Sequence, residues 1–130
     1  MGAVSKVVWV HNYSSSALTI TSIDGGAPDQ LTTCPAGAST FVGYKVVPWC
    51  KIGSEFATHH MTITVAGVPF FAWQHWDTDD NWVRRTTTGF TSTDIPPFTP
   101  APHFPGTALG GGDRSIEVSP GGAFRLRENT

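Results

Sequence analysis

Residues 59–76 read HHMTITVAGVPFFAWQHW, and this stretch constrains the fold more than any other. Met61, Ile63 and Val65 alternate with Thr62 and Thr64, the period of two that marks a half-buried strand. Beyond Ala66 and Gly67 a second run, Val68 to Trp76, is rich in the aromatic residues that strands favour. Two residues including glycine between two such runs predict a tight hairpin, because these turns need positive φ. The turn then sets the register: Val65 opposes Val68, Ile63 opposes Phe70, and Met61 opposes Ala72. Those six residues make one apolar face. Its reverse carries Thr62 opposite Phe71, His60 opposite Trp73, and His75 one step further along. The apolar face is enough for a core, so the reverse face, aromatic and polar together, is expected to be a recognition surface outside it.

The rest of the chain repeats the same kind of signal. Strands are expected at Lys6–His11, Leu18–Ile23, Leu31–Cys34, Thr40–Val47, Trp82–Thr87, Ser115–Val118 and Ala123–Arg127. They are punctuated by Asn12–Ser16, Asp24-Gly25-Gly26, Pro35-Ala36-Gly37, Asp77–Asn81 and Pro120-Gly121-Gly122. No segment keeps a helical period for more than a turn. Only 14% of the residues are charged and 39% are hydrophobic, a balance that fits short strands joined by frequent turns. The expected fold is a single all-β domain over residues 1–130, an antiparallel β-sandwich of about eight short strands. Between Gly89 and Gly112 proline and glycine crowd the sequence, which predicts a long surface loop, the most mobile part of the chain and a flap over the neighbouring face.

Charge and length exclude several classes. A net charge of −2 with scattered basic residues gives nucleic acid no electrostatic track, and there is no polybasic membrane anchor. The amino terminus lacks the apolar core of a signal peptide, so a cytoplasmic location is the default expectation, with a secreted form left open. No run has the length expected of a membrane-spanning helix. Cys34 and Cys50 fit neither a redox pair nor a zinc site, leaving two readings, buried thiols or one disulfide.

Motifs for chemistry are sparse. Asp77, Asp79 and Asn81 match the first ligand positions of a calcium-binding loop, but Trp82 and Thr88 stand where glycine and glutamate are needed, so the segment reads as a polar turn. No nucleophile elbow or phosphate loop is present. His60, His75 and Asp77 leave open a small enzyme or metalloprotein. Five tryptophans are many for this length; Trp76 shares the face of Phe70 and Ala72, whereas Trp73 is left with His60 and His75.

One stretch, Lys6 to Phe71, resembles the β-domain of the von Hippel–Lindau tumour suppressor family. The order is a strand running into Asn and Ser (VVWVHNYSSS), an Asp-Gly turn (SIDGG) and a Pro-x-Gly turn (PAG). A strand with Tyr and Trp (YKVVPW) follows, then a Thr-containing link into a strand and turn (THHMTITVAGVPFF). The resemblance implies a sandwich with a peptide-binding pocket lined by Tyr44 and Trp49. The chain departs from that motif at Gly43, where the family has Ser, and at Val47-Pro48, where it has His, so the hydroxyl-reading bonds are missing. The ligase-recruiting helical segment is also absent. Val10-His11-Asn12 and the polar turn after it are similar to the opening of the aegerolysins, which implies binding to membrane lipid. The leading expectation is a non-catalytic binding protein, with no cofactor, taking a peptide, carbohydrate or other small ligand through Trp73, His60, His75 and Phe71, with Tyr44 and Trp49.

Overall fold

Two mixed sheets share one hydrophobic core in the computed structural model, which describes residues 5–50, 55, 58–75, 83–86, 104–107 and 111–128. The strands are β1 (Ser5–Asn12), β2 (Leu18–Asp24), β3 (Thr32–Cys34), β4 (Ala38–Val47), β5 (Trp49–Cys50), β6 (His59–Val65), β7 (Val68–His75), β8 (Val83–Thr86), β9 (Gly112–Val118) and β10 (Phe124–Glu128). One sheet has the order β10-β9-β1-β4; the other has β3-β2-β6-β7-β5, with β8 also paired to β7. There is no α-helix among the described residues.

The central hairpin has the register expected from its turn. Met61 pairs Ala72, Ile63 pairs Phe70 and Val65 pairs Val68. Ala66 and Gly67 both have positive φ, 52° and 79°, the signature of a type I′ turn that matches strand twist. The face of Met61, Ile63, Phe70 and Ala72 is buried and meets Leu18 and Ile20 from β2. Opposite lie Val7 and Val10 from β1, Val42 and Val47 from β4, Ile116 and Val118 from β9, and Leu126 from β10. Alternation in every strand thus supplies one apolar side to the shared core.

Polar side chains stitch the two sheets across this core. The buried Gln74 of β7 accepts a hydrogen bond from the Ser5 amide of β1 at 3.2 Å. Ser22 of β2 donates to the Val46 carbonyl of β4 at 2.6 Å. The buried Lys45 ammonium donates to the Gln30 carbonyl at 2.7 Å and pairs with Asp29 at 3.1 Å. A buried ammonium is tolerable only when partnered in this way.

Two expectations need correction, and the choice left open for the cysteines is decided. The sheets are not purely antiparallel: β1 runs parallel to β9, and β5 parallel to β7. Both pairings join segments distant in sequence, so no turn signal announces them. Cys34 and Cys50 are free and buried. Cys34 lies opposite Leu18, which aligns with Val65 and Val68, whereas Cys50 lies opposite His75. His75 is seven residues further along β7, roughly 23 Å at about 3.3 Å per residue. A disulfide needs Cα atoms within about 7 Å. Burial pushes the Cys34 thiol up, although Thr40 and Lys45 oppose the shift, which leaves it a poor nucleophile.

The second correction concerns the stretch from Gly89 to Gly112, of which residues 89–103 and 108–110 lie outside the described residues. Its Phe104 is not part of a surface flap but a core residue packed on Phe70. Its amide donates to the Val83 carbonyl at 2.7 Å. The next residues seal the edge of β10: Leu126 N–H donates to the Pro105 carbonyl at 2.7 Å, and Thr107 N–H to the Leu126 carbonyl at 2.9 Å. Gly106, at φ 92°, must be glycine, because a Cβ there would collide with the Leu126 carbonyl.

Candidate functional site

The expected face does not stand open. Trp73 is fully buried, with 0% of its surface exposed, on the side of β7 opposite Phe70 and Ala72. It lies outside the shared core, as the register required, but it is enclosed and not a recognition surface. Thr62 does pair Phe71, and His60 meets Phe71 edge-on at 5.5 Å and 90°. The cavity beside His60, lined also by Thr21, Ile23, Pro28 and Thr62, holds only about 170 Å³. Small-molecule sites usually occupy about 300–1,000 Å³. His75 ends β7; its side chain, and Asp77 with Trp76 and Trp82, lie outside the described residues.

Tyr44 and Trp49 stand in different sheets. Trp49 is half-buried in the six-stranded sheet, its Nε1–H enclosed without a hydrogen-bond partner among the described residues. Tyr44 stands on the outer face of the four-stranded sheet. There it joins a group that sequence reasoning missed.

That face carries a row of rings. Trp9 and His11 alternate on β1 with the buried Val8, Val10 and Asn12, and Tyr13 continues the alternation just past the strand end. The ring centroids of Trp9 and His11 lie 6.3 Å apart with their planes 4° from parallel, and those of His11 and Tyr13 lie 6.4 Å apart with planes at 11°. The neighbouring strand adds Phe41, paired with Trp9, at 5.5 Å and 68°. Tyr44 follows Phe41 at 5.9 Å and 82°. His11 is half-buried, and the other four rings are exposed, from 36% for Trp9 to 56% for Tyr44.

Phe41 and Tyr44 would point to opposite sides of an unbroken strand. They share a side because the register slips between Val7 and Trp9, where β4 places Val42, Gly43 and Tyr44 opposite Val8 alone. Gly43 and Tyr44 take positive φ there, 74° and 41°. A left-handed tyrosine costs about 1–2 kcal/mol, and such strain clusters where function needs a side chain re-aimed.

Beside the rings runs a polar row. Register places Ser39, His11, Glu117 and Arg125 side by side on β4, β1, β9 and β10. Ser39 Oγ lies 2.8 Å from His11 Nδ1. Arg125 donates to one Glu117 oxygen at 2.8 Å and Arg127 to the other at 2.6 Å. The Arg125 hydrogen bond, reinforced by Arg127, holds the Glu117 carboxyl below the usual carboxylate range despite partial desolvation.

Asn12 fixes the end of the ring row. Its buried amide donates to the Ser16 and Cys34 carbonyls at 2.8 and 3.2 Å. Its oxygen accepts from the Ser14 amide at 3.1 Å and hydroxyl at 2.7 Å. The turn carrying Tyr13 is built on this one side chain. Asn12→Ala should cost about 1–3 kcal/mol, since it strands buried carbonyls. A urea midpoint unchanged from wild type would show that the turn does not depend on it.

Comparison with known protein families, curated proteins and solved structures finds no match for this chain.

Proposed function

We propose that this protein is a non-catalytic binding module of β-sandwich type, with the outer face of the four-stranded sheet as its binding face. The observation that carries the reading is the row Trp9–His11–Tyr13 with Phe41 and Tyr44, all exposed but the half-buried His11, each ring in contact with the next and Tyr44 held by a strained backbone. Tyrosine and tryptophan offer large contact area at little entropic cost, which is why they dominate recognition surfaces. Ser39 and His11 are close enough for a nucleophile and base, but among the described residues nothing covers them to exclude water. Binding suits that setting better than catalysis.

The test is a double variant, Trp9→Ala with Phe41→Ala, screened against glycan and peptide arrays beside wild type. Both side chains are exposed, so the thermal melt should stay near that of wild type. Capture should fall to background. Undiminished capture by the double variant, together with its loss in His60→Ala, would move the binding face back to the six-stranded sheet.

A further inference from the structure

We infer that the ligand of this face is a neutral, unbranched polysaccharide running along β1 over Trp9, His11 and Tyr13. The inference rests on the reading of this face as the binding face and adds the ligand's chemistry.

The ring row is periodic because its members are alternate residues of one strand. Its ring centroids repeat at 6.3 and 6.4 Å, and their planes differ by only 4° and 11°. A regular row of parallel rings is matched by a ligand that is itself a regular row of rings. Pyranose units present C–H faces that pack on aromatic surfaces, with hydroxyl groups around the rim.

The rim needs both donors and acceptors, and the polar row beside the rings has both. Glu117 is held ionised by two guanidiniums and keeps lone pairs for further donors. Arg125 and Arg127 each have N–H groups beyond those spent on Glu117. Ser39 and His11 complete the row at β4 and β1. Hydroxyls both donate and accept, so a polyol can use every one of these groups.

The same row disfavours the two rival ligands. Single-stranded nucleic acid stacks on aromatic platforms but needs free cations along its backbone. Here both arginines are tied to one carboxylate, on a chain of net charge −2. A proline-rich peptide stacks on aromatic grooves too, but it offers mainly carbonyl acceptors and leaves a carboxylate nothing to accept from.

Isothermal titration of the full chain would test this with cellohexaose, xylohexaose, mannohexaose and chitohexaose, each beside its disaccharide. At least one hexasaccharide should bind, its disaccharide about tenfold or more weakly, with affinity insensitive to added salt. Trp9→Ala and Tyr13→Ala should each weaken it about tenfold, the loss of one stacked ring. Thr19→Ala, on the outer face of the other sheet, should leave it unchanged. Circular dichroism would confirm that each variant is folded. No binding of any hexasaccharide, or binding indifferent to Trp9→Ala, overturns the proposal. Capture of an oligo-dT strand or a polyproline peptide instead, lost in Trp9→Ala, overturns the sugar but keeps the binding face. If face variants alter no ligand at all, both readings fall.

Discussion

Trp73→Ala is expected to lower stability by about 3–5 kcal/mol, as truncation of an enclosed aromatic does. The side chain has no exposed surface, so removing the indole leaves a cavity that the neighbouring strands cannot fill without shifting. Its strand β7 pairs β6, β8 and β5 and is the most heavily connected element of its sheet. Relaxation by local fraying is therefore blocked. Ile63→Ala, on the opposite side of the same hairpin and equally enclosed, should cost about 2–5 kcal/mol. Urea unfolding followed by far-ultraviolet circular dichroism would compare the two at unchanged slope. A Trp73→Ala loss under about 1 kcal/mol, the range of exposed positions, would mean that the ring is open to solvent.

Phe104→Ala should be comparably severe, about 3–5 kcal/mol. Phe104 is 1% exposed and packs on Phe70 at 6.0 Å, which in turn meets Phe124 edge-on at 4.7 Å. Phe70 of β7 thus stands between Phe104 and Phe124 of β10 in a line of aromatics. Phe104 also anchors the segment Pro105–Thr107, whose backbone bonds close the edge of β10. Losing the anchor should release that edge before the rest of the sheet. Amide exchange at Leu126 and Thr107 should accelerate more than at Val10 in the centre of β1. Stability within about 1 kcal/mol of wild type, with protected Leu126, would show that the backbone bonds hold the edge unaided.

The contrast between these residues and the central hairpin shows where sequence reasoning reached. The hairpin register was legible because Ala66-Gly67 sets the turn and the turn sets every pairing after it. The strands at 6–11, 18–23, 40–47 and 115–118 were legible from alternation, and each appears within a few residues of its expected ends. Two strands of the ring row were therefore in hand. The alternation of Trp9, His11 and Tyr13 against Val8, Val10 and Asn12 was itself readable, but it does not say which side is covered, and Tyr13 falls in the turn segment Asn12–Ser16. Tyr44 was named only through a family resemblance; that it shares a side with Phe41 was beyond reach, since this depends on a bulge that exists only against β1.

Local order, then, was determined by the sequence itself: which segments extend, where they turn, and which side of each is apolar. These follow from residues one to four positions apart, whose side-chain directions and φ preferences need no distant partner. Which of two sides is covered was decided only by the tertiary structure. Trp73 and Trp9 are alike in their strands, each on the side opposite the core-facing residues. One is enclosed and the other open because enclosure depends on what the chain brings back against each sheet. The parallel pairing of β1 with β9 shows how far that return reaches: the Gly111 amide donates to Ser5 Oγ at 2.8 Å across 106 positions. Burial is a property of such returns, and a short window of sequence does not contain them.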